Sequence, residues 1–151
     1  MKLKYHAAVS AVSAGILYAI FKSWGLSTAL FITGVFIDLD HVFDYFLENG
    51  LDINTKKFFS FFYEEKHRKI TLLLHGWEWL ILLVIYAKLT DWNLWVTGAL
   101  IGYALHIIPD YFYSKAPIRS YSLFWKWKCN FNSELIFPRN RGYNSGSQKK
   151  Q

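Results

Sequence analysis

A chain of 151 residues is the size of one domain, and its 53% hydrophobic and 20% aromatic content is heavy for a soluble domain of that length. Its single cysteine, Cys129, excludes an internal disulfide and a thiolate metal cluster, so any metal ion would be held by nitrogen and oxygen. The net charge of +6 belongs to the tail, because residues 114–151 contain eight Lys or Arg and one acid, whereas residues 1–113 contain nine and ten. A basic, tryptophan-bearing tail suits an anionic membrane surface, and no nucleic-acid-reading motif occurs, so no nucleic-acid partner is expected.

Four apolar segments predict membrane-spanning helices, at residues 6–21, 25–47, 70–87 and 92–113. Each is close to the ~20 residues that a helix needs to cross a bilayer. The first segment also has the basic start and small residues of a signal peptide, an interpretation that we set aside because His6 fits the polar pattern described below. Four antiparallel helices joined by short loops predict an all-α membrane bundle over residues 1–113.

Basic residues in the loops indicate how this bundle is oriented. Lysine and arginine precede the first segment, cluster between the second and third, and follow the fourth. Because cytoplasmic loops are enriched in positive charge, we expect a multi-pass protein with both termini in the cytoplasm, in the inner membrane if the source is bacterial. Residues 114–151 are expected to form a basic, aromatic interfacial tail that is disordered from about residue 138. A soluble helical domain is the alternative, and the long apolar spans argue against it.

Histidines and carboxylates interrupt the apolar segments at helical spacing. Three segments each carry one such pair: Asp38 and His41, His75 and Glu78, His106 and Asp110. Residues three or four apart share a helix face, and an up-down bundle brings these faces and His6 to one side of the membrane. Buried carboxylates are costly alone, whereas imidazole and carboxylate together bind zinc, manganese or iron. We therefore expect one or two divalent ions, most simply zinc. The alternatives are His–carboxylate pairs without metal, and a helix end marked by Pro109.

These motifs resemble a known family, the small integral-membrane metal-dependent hydrolases related to the LexA-regulated YdjM protein. Its pattern is an early histidine followed by P-D-x-D-H, H-R-G-x-T-H and G-x-x-x-H-x-x-x-D, and the resemblance covers roughly residues 6–113. The matching positions are His6 for the early histidine, Asp38, Asp40 and His41 for the second motif, and Gly102, His106 and Asp110 for the last. Ile37 stands where the second motif has proline.

The third motif of the family is incomplete in this chain. His67, Arg68 and Thr71 match it, whereas Lys69 replaces the glycine and Leu72 replaces the second histidine. His75, about one helical turn further on, is the candidate for the missing imidazole, with Glu78 beside it. His67 beside Arg68 also fits ordinary loop charge, so either histidine is a candidate for this corner of the site.

The resemblance implies a membrane-bound, metal-dependent hydrolase. The ligands expected in that case are His41, His75, His106, Asp38, Glu78 and Asp110, with His6 and His67 as further candidates. Asp40 would accept a proton, and Arg68 would pair with a phosphate or another anion. The His-x-x-x-Asp pair also resembles one in zinc-dependent phospholipase C and P1-type nucleases, which suggests a phosphoester of a lipid or lipid-linked substrate at the cytoplasmic face. The alternative is a non-enzymatic membrane protein that binds metal or acts as a scaffold.

Overall fold

The computed structural model of the chain describes residues 3–50, 54, 58 and 69–137, and in these ranges the regular structure is helical. The all-α class is therefore confirmed for the described part of the chain. His67, Arg68 and the segment predicted to be disordered lie outside it. The helices are α1 (Leu3–Phe21), α2 (Trp24–Phe36), α3 (Leu39–Asn49), α4 (Trp77–Leu89), α5 (Leu94–Ser114), α6 (Leu123–Lys128) and α7 (Ser133–Ile136), with a 3₁₀ turn at Ile118–Tyr121.

Short capped connections set the directions of the long helices. The Ser23 hydroxyl accepts a hydrogen bond from the Leu26 amide at 3.2 Å, and the Asn93 side chain accepts one from the Trp95 amide at 3.0 Å. Each cap satisfies an amide that a helix start would otherwise leave unpaired. The connections before α2 and α5 are only two and four residues long, so α1 and α2 are antiparallel, and so are α4 and α5.

Helix α5 lies directly against α2, and two glycines make this approach possible. A Cβ atom at Gly98 would overlap the carbonyl of Leu26, and one at Gly102 would overlap the carbonyl of Leu30. The equal steps of four residues show that α2 and α5 run parallel, as the second and fourth helices of an up-down arrangement do. Small residues allow the two backbones to approach this closely. Four residues further along each helix, His106 of α5 faces Gly34 of α2.

Among the described residues, two segments are long and apolar enough to cross a membrane, Leu3–Phe21 and Trp24–Asn49. The second comprises α2 and α3, which a turn at Ile37 and Asp38 separates. Side chains along the outer side of α1 are apolar and exposed, including Val12 at 62% and Ile20 at 65%, as lipid contact requires. The first and second of the four predicted spans thus have the length and apolar composition of a membrane-spanning helix.

The third predicted span is wrong in its first seven residues, because α4 begins at Trp77 and not at residue 70. A 13-residue helix is about 20 Å long, which is shorter than the ~30 Å hydrocarbon core. Leu72 has a positive φ of 36°, a conformation that an α-helix does not allow. Polar side chains from other elements bind the backbone of this stretch, as described below. The alternative of a helix end at Pro109 is excluded, since α5 continues to Ser114.

Residues 117–137 pack against the loop that precedes α4 and against the start of that helix, and we call them the C-terminal cap. The loop beneath them, residues 69–76, is called the site loop. The Ile70 amide donates to the Phe131 carbonyl at 2.9 Å, and the Trp77 indole donates to the Ile118 carbonyl at 3.0 Å. Tyr121 of the cap joins a buried apolar cluster with Ile37, in the turn after α2, and with Tyr103 and Ile107 of α5. The first part of the basic tail is therefore packed against the bundle.

Candidate metal centre

Four potential ligand atoms meet where α2, α3, the site loop and α5 converge. They belong to Asp38, His75, His106 and Asp110, and all lie within 4.8 Å of one another. His75 and His106 are almost fully buried, at 2% and 1% exposure. Asp38 lies in the turn between α2 and α3, His75 lies on the site loop, and the other two project from one face of α5.

The spacing of these atoms fits one metal ion. The Nε2 atoms of His75 and His106 are 3.2 Å apart. Asp38 Oδ1 lies 3.7 and 3.4 Å from the two nitrogens, and Asp110 Oδ2 lies 3.7 and 3.6 Å from them. Ligands ~2.0–2.1 Å from a tetrahedral zinc ion are roughly 3.3–3.4 Å apart. The residues present therefore fit the metal that the sequence predicts, with little change in position.

The Nδ1 atom of each candidate ligand histidine donates a hydrogen bond to another part of the protein. His106 Nδ1 donates to the Gly34 carbonyl at 2.8 Å, since a carbonyl oxygen only accepts. His75 Nδ1 donates to the Asp40 carboxylate at 3.0 Å. In each neutral ring the remaining nitrogen, Nε2, then carries a lone pair, and the two lone pairs point into one space. Metal-binding histidines usually have such a carbonyl or carboxylate partner behind them.

His6 supports the site from α1 and is not part of the four-atom group. Its Nε2 donates to Asp110 Oδ1 at 2.9 Å, so the other oxygen of Asp110 is turned toward the two histidines. The His6 ring also stacks on His106, with centroids 3.9 Å apart. His6 is 1% exposed, and its Nδ1 has no hydrogen-bond partner among the described residues. The early histidine of the motif thus orients two ligands.

Two carboxylates of α3 hold the site loop by its backbone. Asp44 Oδ2 accepts from the amides of Thr71 and Leu72 at 2.9 and 3.1 Å. Asp40 Oδ2 accepts from the Leu74 amide at 2.9 Å as well as from the ring of His75. Because they are four residues apart on α3, the two aspartates face the loop together. This explains why residues 70–76 form an ordered loop and not a helix.

On its other side the loop is held by Tyr103 of α5 and Lys126 of the cap. The Tyr103 hydroxyl donates to the Leu74 carbonyl at 2.6 Å and accepts from the Gly76 amide at 3.2 Å. Lys126 is 1% exposed. Burial lowers the pKa of its ammonium to about 8, and the carboxylates of Asp40 and Asp44 act in the opposite direction. The ammonium is therefore still mainly charged at neutral pH.

His41 belongs to a second, smaller group with Asp40 and His75. Its side chain is 32% exposed, and its Nε2 lies 3.6 Å from Asp38 Oδ1. The two groups share His75, and one imidazole binds two cations only if it loses both ring protons. Occupation of the four-atom group is favoured, because His75 Nδ1 already donates to Asp40 and His75 Nε2 lies 3.2 Å from His106 Nε2.

The structure separates Glu78 from the centre. Glu78 lies in the first turn of α4, where its Oε1 accepts from the Ser122 hydroxyl at 2.6 Å. It does not share a helix face with His75, because His75 precedes the helix. The assumption of a helix from residue 70 produced this wrong pairing. Asp40 lies behind His75, and Arg68 and His67 fall outside the described residues, so their predicted roles stay predictions.

Sequence reasoning gave no role to Asp44, Tyr103 or Lys126. For Asp44, the spacing of four from Asp40 was a usable signal, since it places both carboxylates on one face of α3. Tyr103 is three residues before His106 and therefore also shares its face of α5. Nothing in the local sequence distinguishes Lys126 from Lys128, because burial of one of them depends on how the cap packs.

A helical bundle with two long apolar segments and a buried histidine–aspartate centre defines this chain as a membrane protein with a candidate metal site. The family described as YdjM inner membrane protein matches residues 1–145. The match extends over nearly the whole chain, so the chain belongs to that family. The family resemblance predicted from the motifs is thereby confirmed. No curated protein and no solved structure matches the chain.

Proposed function

We propose that this inner membrane protein holds a divalent metal ion at the four-atom group and uses it to hydrolyse a phosphoester of a lipid or lipid-linked substrate at the cytoplasmic face. The observation that carries the proposal is the pair of Nε2 atoms, 3.2 Å apart, of His75 and His106. Their rings are fixed from behind by Asp40 and by the Gly34 carbonyl, so both lone pairs are directed at the same point.

The charge of the centre also supports a cation. Asp40, Asp44 and Asp110 are buried, and the side chain of Asp38 is 12% exposed. Several carboxylates removed from water at one place repel one another and require positive charge nearby. Lys126 supplies one charge, and a divalent ion would supply two more. Zinc, manganese and iron all accept this mixed nitrogen and oxygen ligand set.

A metal ion bound here would acidify a coordinated water to a pKa near ~7 and polarise a phosphoryl oxygen. His75 and His106 would hold the ion by Nε2, and Asp38 and Asp110 would hold it by one oxygen each. Asp40 keeps its second oxygen, Oδ1, buried and without a hydrogen-bond partner among the described residues. That oxygen is our candidate for the proton acceptor. Arg68 is our candidate for contact with the anionic group of the substrate.

The position of the centre suits a substrate anchored in lipid. The centre lies at one end of the helices, so a head group would reach it while an acyl chain stayed among them. The cap next to it exposes Phe124 and Trp127, at 67% and 68%, together with the basic residues Arg119 and Lys128. Aromatic and basic side chains favour an anionic membrane surface. We place this end at the cytoplasmic face of a four-helix membrane bundle on the basis of the loop charges.

One observation favours a second function, a non-enzymatic metal-binding or scaffold protein. A zinc ion with four protein ligands has no open position, which is typical of structural sites. The hydrolase proposal therefore requires a fifth or sixth ligand position, as manganese and iron have, or the release of one carboxylate when substrate binds. A second ion beside His41 would be a further way to bring water to the site.

Elemental analysis of the detergent-purified protein, prepared without added metal or chelator, tests the metal. Near-stoichiometric zinc, manganese or iron in the parent, and its loss in Asp38→Asn, are expected. The loaded protein is then assayed with p-nitrophenyl phosphate, bis-p-nitrophenyl phosphate and phospholipid in mixed micelles, with Asp38→Asn as the control. Metal without hydrolysis of any of these would support the scaffold alternative. A parent protein that stays empty on titration would overturn both proposals.

A further inference from the structure

Lys126 is a buried lysine in a short helix whose other lysine, Lys128, is exposed. The Lys126 Nζ atom donates to the Leu72 carbonyl and to the His75 carbonyl, both at 2.9 Å. An ammonium group is strongly hydrated, so removing it from water is costly unless the protein replaces those hydrogen bonds. A leucine or methionine would fill the same space without that cost. The charged group supplies the two carbonyls with hydrogen bonds that an apolar side chain could not make.

Those carbonyls belong to the loop that presents a metal ligand. Leu72 is bound on both sides, because its amide donates to Asp44 of α3 and its carbonyl accepts from Lys126 of the cap. His75 is bound in the same way, since its ring donates to Asp40 and its carbonyl accepts from Lys126. The ring and the backbone of His75 are thus fixed by groups from two different elements.

The strain of the loop makes these contacts important. Leu72 has a positive φ of 36°, a backbone conformation that is unfavourable for leucine and persists only where surrounding contacts impose it. Without the ammonium, the carbonyls of Leu72 and His75 would lose their common donor, and the loop would be less restrained on the side of the cap, although Asp40 and Asp44 would still bind its amides. A relaxed loop would move His75 Nε2 away from its position 3.2 Å from His106 Nε2.

We propose that Lys126 is a positioning residue that fixes the site loop so that His75 reaches the metal, and that it thereby couples folding of the C-terminal cap to metal binding. The inference rests on the proposed metal site and adds a part of the chain that lies outside the family motifs. The coupling is reciprocal, because a cap that strengthens metal binding must itself be stabilised by the metal.

The first test compares Lys126→Met with Lys128→Met in the full-length protein in detergent. Zinc affinity is measured by competition with a chromophoric chelator, and the coordination of Co²⁺ is read from its visible absorption. Lys126→Met should bind zinc ~10–100-fold more weakly, as expected for loss of a group that orients a ligand, and should change the cobalt spectrum. Lys128→Met should match the parent, since its recorded contact is with the Trp125 ring, 5.9 Å away.

A lysine that only stabilised the cap would give a different result. Lys126→Met would then unfold at a lower temperature while its zinc affinity and cobalt spectrum matched the parent, and that result would overturn the inference. The proposed metal site would be unaffected by it. A parent protein that binds no metal would instead remove the metal site, and the inference with it.

A second measurement uses the parent alone and decides the matter if Lys126→Met does not fold. Hydrogen exchange is followed with and without zinc, separately in the site loop and in residues 123–128. Coupling predicts that zinc slows exchange severalfold in both segments. Slower exchange in the site loop together with unchanged exchange in residues 123–128 would show that the cap does not sense the metal, and Lys126 would then have no positioning role.

Discussion

Replacement of His106 by alanine is the sharpest test of the proposed ligand set. The change removes Nε2, which lies 3.2–3.6 Å from the other three candidate ligand atoms. A four-ligand zinc site binds with about 10–16 kcal/mol, so one ligand accounts for roughly 2.5–4 kcal/mol. That loss corresponds to a ~100–1000-fold weaker affinity. The Gly34 carbonyl also loses its donor, which costs about 1–3 kcal/mol of folding stability.

The matched control is His41→Ala. The Nε2 atom of His41 lies 3.6 Å from Asp38 Oδ1, so this histidine is close to the site. Its side chain is 32% exposed, however, and it lies outside the four-atom group. We expect less than a tenfold change in zinc affinity, since substitutions away from a critical contact cost roughly 0.5 kcal/mol. Both variants are purified in detergent, stripped with chelator and titrated with zinc against a chromophoric competitor, and their helix content is checked by circular dichroism.

Two results would refute the reasoning. If His106→Ala kept the affinity of the parent, the four-atom group would not be the metal site. If His41→Ala lost as much affinity as His106→Ala, His41 would be a ligand too, and the four-atom group would not be the complete site. Either result counts only for a folded variant. We expect His106→Ala to fold, because the close contact of α2 with α5 at Gly98 and Gly102 does not involve the substituted ring.

Two further substitutions test the support of the site. Asp40→Asn should weaken zinc binding ~10–100-fold, because the carboxylate that holds the ring of His75 loses its charge. An affinity equal to that of the parent in the same titration would contradict this prediction. Gly102→Ala should lower stability by about 1–3 kcal/mol, since its Cβ would overlap the Leu30 carbonyl. Gly15→Ala is the control, because no atom lies within 4 Å of its added Cβ, and it should be neutral or stabilising by up to ~1 kcal/mol. Equal shifts of the thermal unfolding temperature in the two glycine variants would exclude close packing as the reason for Gly102.

Part of the centre was predictable because helical spacing is a local property. His106 and Asp110 are four residues apart in a long apolar segment, and the structure places both on one face of a continuous helix. The early histidine and the Asp38 turn could also be assigned to the same end of the bundle, since antiparallel helices bring alternate ends together. These features depend on the period of the helix and on connection lengths, which the sequence contains directly.

The site loop was not predictable in the same way. Residues 70–76 are apolar enough to resemble the start of a membrane span. The prediction of a helix from residue 70 therefore placed His75 and Glu78 on one helix face, although the helix begins at Trp77. The structure instead binds the amides of Thr71, Leu72 and Leu74 to two carboxylates of α3. These partners are about 30 residues away in the chain, and no local pattern reports a hydrogen bond over that separation.

The sequence by itself determined the all-helical class, the family and the side-chain groups available to a metal ion, because apolar length, helical period and the choice of imidazole and carboxylate are properties of the residues themselves. Only the tertiary structure decided which of these groups share one point in space. It joined Asp38, His75, His106 and Asp110 and directed Glu78 to Ser122. The physical reason is that buried polar groups must satisfy one another across distant segments, and the packing of helices and cap selects the partners.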